Sequence, residues 1–506
     1  MTAPDRPAPL GVAPPASGYP GLQRSNHFRF RHLGGQVLLT NDGGSYQLLS
    51  EAEFEQLVSG NFAPDGNLRT RLLEAGFLQG GQGEEERTAQ LAQRKAFLGL
   101  GPYLHVLITS LRCNQACVYC HASRRPMDAT EFDMSPEVAE RAVQVAMQTP
   151  APSITLEFQG GEPLANFAVV RHTVEKALEL NATVRKTLAF SLVSNLSLMD
   201  DEKLAFILDH GIQVCTSLDG PEDLHNANRP LAHGNSHAAT LRWMERIDQG
   251  YLDRGLDPAL YHVEALLTVT RQSLGRARDI VDEYVKRGLK AVFLRPLNPF
   301  GFARKTAGRI GYGAEEFLAF HREALDYIIA LNLEGKEILE RLATIFLVKI
   351  LTGDDPNYLD IRSPCGAGIG QIAYSFDGAV FCCDEARMLH QMGDSVFQIG
   401  NLEHDGYGDL IESPVVRSVA LASCLEGLPG CADCAYLPFC GTCPVFNYST
   451  QGNIFGRMAD NQKCRIHMGL MDHLFQLLGA GDERLREEVF ARWVESRDRP
   501  YFVHDF

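Results

Sequence analysis

Thirteen cysteines lie along this 506-residue chain, and their placement is far from even. Cys113, Cys117 and Cys120 crowd a short stretch directly after an apolar run. Three closely spaced thiolates suit three corners of a [4Fe–4S] cube and leave one iron without a protein ligand. A structural zinc ion needs a fourth donor, and His121 follows at once, so spacing alone leaves both readings open. The second pattern runs Cys365, Gly378 and Cys383, then Cys431-x2-Cys434-x5-Cys440-x2-Cys443, and ends at Cys464. Thiolates in such groups bind metal in a chain without an export signal, whereas a secreted chain would pair them as disulfides. The odd total also fits poorly with full pairing. Cys215 stands alone inside an apolar strand and reads as a buried small hydrophobe.

These residues need elements to hold them. Between about 104 and 300, apolar runs alternate with amphipathic stretches of helical period. The runs at 104–110, 153–158, 189–194, 212–218, 262–269 and 291–296 predict strands. Residues 135–148 and 273–289 are examples of the helices between them. Helices long enough for parallel crossovers, repeated in this order, predict an α/β barrel or a doubly wound sheet. In either case the reactive residues belong beyond the strand C-terminal ends. Residues 306–360 read as a helical linker, with 314–352 purely helical. The Gly- and Cys-rich stretch 361–470 has few periodic runs, so metal cross-links are expected to supply order that side chains alone do not. A C-terminal helix and tail occupy 471–506, with helical character from 466.

Two further segments precede the alternating region. Residues 1–24 are rich in Pro, Gly and Ala and read as a disordered leader. Residues 25–82 predict a small α+β module, with strand-like alternation around Gly-rich turns and then short helices. Ser50 and Glu53 form a capping-box pair at the first of those helices. Apolar residues make up 45% and charged residues 22% of the chain, which argues against wholesale disorder. The formal net charge is −16, which disfavours capture of a nucleic-acid backbone or an anionic membrane. No uncharged apolar run approaches the roughly 18 residues that a membrane span requires. The N-terminal sequence lacks the basic-then-apolar order of a secretory signal, so the expected location is the cytoplasm.

The Cys-x3-Cys-x2-Cys loop, with Tyr119 before its last cysteine, resembles the radical S-adenosylmethionine (SAM) superfamily. Gln159-Gly160-Gly161-Glu162-Pro163 at the second strand end resembles the family's GGEP motif. Ser194-Asn195 ends the third strand and Ser217-Leu218-Asp219-Gly220 the fourth, with His225 and Arg229 following as in many members. The resemblance implies a partial (β/α)6 TIM-like barrel over 100–305. It also implies a [4Fe–4S] cluster on Cys113, Cys117 and Cys120, whose open iron chelates SAM. Reductive cleavage of SAM would then give a 5′-deoxyadenosyl radical that abstracts a substrate hydrogen. Gly160, Gly161 and Glu162 are implied to engage the SAM amino group, Asn195 and Ser217 its ribose or carboxylate, and Tyr119 to lie near the adenine. Asp219 and Arg229 read equally as a structural ion pair.

The second cysteine pattern resembles the SPASM extension of peptide-modifying radical SAM enzymes, which holds two auxiliary clusters. By that resemblance Cys431, Cys434, Cys440 and Cys464 hold the outer cluster, and Cys365, Cys383 and Cys443 the inner one. Two departures stand out: the last short gap is x2 where the family usually has x3, and no cysteine closely precedes Cys365. The inner cluster therefore has three cysteine ligands or recruits Cys382 or Cys424. Two zinc knuckles are the alternative. Asp384 corresponds to a proposed general base of sulfatase-maturing relatives. As a whole the chain resembles the radical SAM maturase family of the His-Xaa-Ser peptide system, through 28–50 and Cys440–Phe455. That implies a ribosomally synthesised substrate peptide, bound with help from the N-terminal module, and an external electron donor such as a flavodoxin or ferredoxin. A formylglycine-forming sulfatase-type maturase and a non-catalytic metal-binding scaffold are the competing expectations.

Overall fold

The computed structural model describes residues 21–63, 66–81, 83–356, 361–495 and 502–504. Most of the leader expectation, 1–20, lies outside the described residues, while Leu22–Arg24 form a 3-10 turn. The chain divides into two compact units, Met1–Leu91 and Ala92–Phe506.

The first unit is an antiparallel meander of β1 (Arg29–Leu33), β2 (Gln36–Thr40) and β3 (Tyr46–Ser50), in that order. Val37, Leu39 and Leu49 bury one face against Leu57, Leu68, Leu72 and Phe77 from the helical half of the unit. The helix Glu51–Ser59 starts where the sequence places its cap. The Ser50 hydroxyl accepts from the Glu53 N–H at 3.2 Å, and the Glu53 carboxylate accepts from the Ser50 N–H at 2.9 Å. Gly60 ends it in the left-handed region at φ 74°.

In the second unit, β4 (Leu104–Ser110), β5 (Ser153–Gly160), β6 (Thr187–Val193), β7 (Ile212–Ser217) and β8 (Glu264–Thr268) pair in parallel in chain order. A short β9 (Ala291–Val292) precedes β10 (Leu294–Arg295), which closes the parallel series against β8. Long helices return the chain between strands. Pro136–Met147, capped by the Ser135 hydroxyl, and Phe167–Val184 are two of them. This is the parallel-dominated α/β fold that the alternation predicts. The fifth and sixth runs are shorter than expected, and the helical stretch 314–352 is interrupted. There β11 (Leu339–Glu340) pairs with β9, between the helices Ala314–Leu333 and Arg341–Leu351.

The Cys-rich stretch is more regular than its composition suggests. β12 (Gln371–Tyr374) adds in parallel to the outer edge of β4, and β13 (Ala379–Phe381) and β14 (Gln398–Asn401) continue antiparallel. Ile372, Tyr374, Val380 and Phe381 are fully buried, so apolar packing contributes order here as well. The C-terminal helix begins at Gln462, ahead of the expected 466, and runs to Gly479.

His105 on β4 and Tyr374 on β12 join the two parts through a 2.9 Å hydrogen bond at His105 Nδ1. Burial holds His105 neutral and lowers its pKa to about 3. The unfolded chain therefore binds one more proton than the native chain between about pH 6.5 and 3. Stability is expected to fall as pH drops through that window, by up to about 1.4 kcal/mol per pH unit from this group. Urea midpoints at pH 7 and pH 5 should show a smaller acid loss for His105→Phe than for the parent chain.

Candidate active site at the strand C-terminal ends

Cys113, Cys117 and Cys120 occupy the loop directly after β4, and backbone contacts hold that loop on several sides. The Cys113 N–H donates to the Arg125 carbonyl at 3.1 Å, the Ala116 N–H to Pro230 at 2.9 Å and the Val118 N–H to Asn228 at 2.9 Å. The Phe302 N–H donates to the Cys120 carbonyl at 2.8 Å. Burial is the main force raising the thiol pKa values of Cys113 and Cys117, the latter to about 11. The neighbouring thiols push in the same direction. Such thiols become thiolates when a cationic centre compensates the charge. Among the described residues no three His, Cys, Asp or Glu side chains converge on one metal-ion position. Three thiols on one loop suit three corners of a cube.

Gly160 and Gly161 lie where the end of β5 passes against the start of the cysteine loop. The Gly161 N–H donates to the Ser110 carbonyl at 2.8 Å and the Glu162 N–H to the Arg112 carbonyl at 2.7 Å. A Cβ at Gly160, whose φ is 143°, would meet the Ser110 oxygen at 2.0 Å, and one at Gly161 would meet the Leu111 oxygen at 2.3 Å. The Gly161 and Glu162 N–H groups are therefore committed to the loop.

The Glu162 carboxylate is fully buried and accepts from the Leu164 N–H at 3.1 Å, the Ser194 hydroxyl at 2.7 Å and the Asn195 N–H at 2.8 Å. It thus ties the end of β5 to the end of β6. Asn195 Nδ2 in turn reaches Cys113 Sγ at 3.6 Å and Asn114 Oδ1 at 3.3 Å. The motif residues of two strand ends and the first cysteine therefore form one hydrogen-bonded group. Ser217 ends β7 half-buried, and its hydroxyl makes no hydrogen bond among the described residues.

The Tyr119 side chain has a clear partner. Its hydroxyl donates to the fully buried Asp219 carboxylate, whose oxygens lie 2.7 and 2.6 Å away. Arg229 Nε lies 3.3 Å from the same carboxylate, and its guanidinium stands 5.3 Å from the Tyr119 ring centre. Burial raises the Asp219 pKa while Arg229 and the tyrosine hydroxyl oppose it. Asp219 and Arg229 are thus an ion pair that also anchors the cysteine loop. His121 follows the last loop thiol. It is held neutral, with its pKa lowered to about 3 by burial and by Arg295 and Arg229, and Nε2 is buried without a partner.

The later cysteines separate into two neighbourhoods. Burial raises the Cys440 thiol pKa, and Cys434, Cys464 and Cys431 add to the effect. Cys431, pushed up to about 12 by burial, feels Cys464 and Cys434. Cys464 thus sits with the group that precedes it by more than twenty residues. Cys443, which caps the helix Pro444–Gln451, instead belongs with Cys383 and Cys382. The Cys383 thiol is raised first by its contact with Cys382 and then by burial, with Cys443 adding to it. Cys365 is buried, and its N–H is held by the Ser423 hydroxyl at 2.9 Å. Cys424 lies away from these thiols, against the Ala420 carbonyl at 3.3 Å, where Glu426 and Lys95 affect it. Asp384 follows Cys383 and accepts from Arg387 Nε at 2.7 Å through one oxygen. Its other oxygen makes no hydrogen bond among the described residues. Asp384 is also near enough to Glu157 on β5 to raise that carboxyl's pKa, though burial is the larger cause.

Two site features escaped the sequence reading. Cys215 is less secluded than its apolar strand suggests. It lies half-buried on the less covered face of β7, where burial raises its thiol pKa, Glu264 and Glu157 add to the rise, and Arg341 and Arg295 oppose it. Glu157 is the second, and only the alternation of β5 (apolar Ile154, Leu156 and Phe158 against Thr155, Glu157 and Gln159) signals its inward position.

Fold and motif geometry define a radical SAM domain, and the Radical SAM superfamily model matches residues 107–254. Beyond that domain, the chain is 24% identical over 365 residues to the cysteine-type anaerobic sulfatase-maturating enzyme of Clostridium novyi. That alignment covers 68% of this chain and 90% of the relative. An uncharacterized protein of Methanothermobacter thermautotrophicus is 28% identical over 36% of this chain, and the chain spans only 64% of its length. Two solved structures share the fold. Native anSMEcpe with bound AdoMet has a TM-score of 0.62 at 20% identity, covering 74% of this chain and 98% of that one. Streptococcus suis SuiB has a TM-score of 0.51 at 15% identity, covering 86% and 98%. The chain thus carries a radical SAM domain of the α/β fold with a Cys-rich C-terminal region. Among the described residues no helix is long and apolar enough to cross a membrane.

Proposed function

We propose that this protein is a radical SAM maturase with a SPASM-type auxiliary region, which oxidises or crosslinks a side chain of a ribosomally synthesised peptide. The observation that carries the reading is the three-thiol loop after β4, bound through Asn195 and Glu162 to the ends of β5 and β6. When bound, the cluster and SAM supply reductive cleavage of the sulfonium to a 5′-deoxyadenosyl radical.

The chain's own residues do the positioning. Cys113, Cys117 and Cys120 hold three irons. Carbonyl oxygens of the Gly160–Gly161 segment accept from the SAM ammonium, because the adjacent N–H groups are already spent. Asn195 and Ser217 meet the ribose or carboxylate, and Tyr119 stands near the adenine, its ring fixed by Asp219. Cys431, Cys434, Cys440 and Cys464 hold the outer auxiliary cluster, and Cys365, Cys383 and Cys443 the inner one. Cys382 is the better-placed fourth donor than Cys424. Asp384 accepts the substrate's proton at the oxygen that Arg387 leaves free.

A peptide substrate is supported by the neighbours, which include anSMEcpe with a Kp18Cys peptide and SuiB with the precursor peptide SuiA. The His-Xaa-Ser system remains our reading of the peptide class, with a flavodoxin or ferredoxin as electron donor, a cytoplasmic location and the 25–82 module as the peptide-recognition element. Sequence likeness to sulfatase-maturating enzymes favours a second reading, formation of formylglycine from Cys or Ser. Mass spectrometry of a small peptide encoded beside this chain, co-expressed with and without it, tests the proposal. A loss of two hydrogens is expected, and an unchanged mass would count against both oxidation and crosslinking.

A further inference from the structure

A β/α barrel interior is normally filled by branched apolar side chains. Here the less covered strand face carries Glu157, Ser191, Cys215, Glu264 and Arg295 from five neighbouring strands. The acids of this interior already have partners. Glu157 accepts from Gln159 Nε2 and, at 3.2 Å, from the Ser191 hydroxyl. Glu264 pairs with Arg341 at 2.9 Å, and Asp384 pairs with Arg387 at 2.7 Å. Arg295 is different. It makes no side-chain hydrogen bond or ion pair among the described residues, and its contact is the Phe293 ring at 5.6 Å. In the sheet register Arg295 lies beside Thr268, on the same strand face as Glu264, Cys215 and Glu157. The guanidinium that acts on the cluster thiol Cys117 is that of Arg229, not Arg295.

A guanidinium that has no acceptor among the described residues offers a planar fork that matches a carboxylate. We propose that Arg295 is a carboxylate-binding residue of the barrel interior, which selects a substrate peptide carrying an Asp or Glu side chain in the stretch that enters the barrel. This rests on the maturase reading for the identity of the ligand as a peptide.

The test uses the full chain, anaerobically reconstituted, with SAM present. Binding of acetyl-Gly-Glu-Gly-amide and acetyl-Gly-Gln-Gly-amide is measured by calorimetry for the parent, Arg295→Gln and Arg295→Lys, alongside SAM affinity. A charged hydrogen-bonded contact predicts a preference for the Glu peptide of about ten- to a hundredfold. Arg295→Gln should abolish that preference, Arg295→Lys should keep part of it, and both should bind SAM within about twofold of the parent. No preference in the parent, its persistence in Arg295→Gln, or a tenfold loss of SAM affinity in either variant would overturn the assignment. A parent that prefers the Glu peptide yet cleaves no SAM would sink the maturase reading and leave this one standing.

Discussion

Cys117→Ala is expected to abolish SAM cleavage, reducing 5′-deoxyadenosine formation by at least about a thousandfold, while the protein stays folded. Two thiols do not retain a cube whose fourth iron must also accept the SAM chelate, so the loss should be all-or-none rather than graded. Iron analysis makes the prediction specific. About four irons should disappear, and the iron held by the later cysteines should remain. Stability should change little, because Cys117 is only partly buried and its backbone contacts on either side, Ala116 with Pro230 and Val118 with Asn228, survive the substitution. A variant that kept parental SAM cleavage would remove the basis for the proposed chemistry.

Gly160→Ala should fail in a different way. The new methyl group would lie 2.0 Å from the Ser110 carbonyl oxygen, at a φ that L-residues rarely adopt. Neither partner is a flexible side-chain end, so β5 and the start of the cysteine loop must separate. Backbone strain and the lost close contact together predict a destabilisation of about 3 kcal/mol or more, read as a lower urea midpoint. Activity should fall with folding, not independently of it. The pair of substitutions separates two roles that a motif search merges. On this expectation the cysteine serves the chemistry, whereas the glycine serves first the approach that lets Glu162 reach Ser194 and Asn195.

Much of this organisation was legible in the sequence, for physical reasons. The first four strands of the parallel sheet are apolar runs alternating with stretches of helical period, and their observed limits differ from the predicted ones by at most two residues. Ser50 with Glu53 predicted a helix start because both partners of the cap are local. Long-range pairing was less visible. Nothing in Gln371–Tyr374 announces that it adds to β4, since a four-residue run flanked by Gly and Cys fits a loop equally well. Cys215 was misread because one thiol in an apolar context carries no information about which face of the sheet it occupies. The carboxylate at Glu162 was legible as a motif residue, but its use as an internal brace depends on where β6 ends. Arg295 gave no signal, because an arginine in a strand usually points to water.

The attachment of β12 to β4 has a structural consequence for how this chain could be taken apart. The cysteine loop and the segment carrying Cys382 and Cys383 follow two strands of one sheet, β4 and β13, with only β12 between them. The Cys-rich region is therefore not a detachable appendage. A chain truncated ahead of Gln371 would bare the flank of β4, a row of amides and carbonyls inviting a neighbouring molecule to stack on it, and oligomers should replace monodisperse protein.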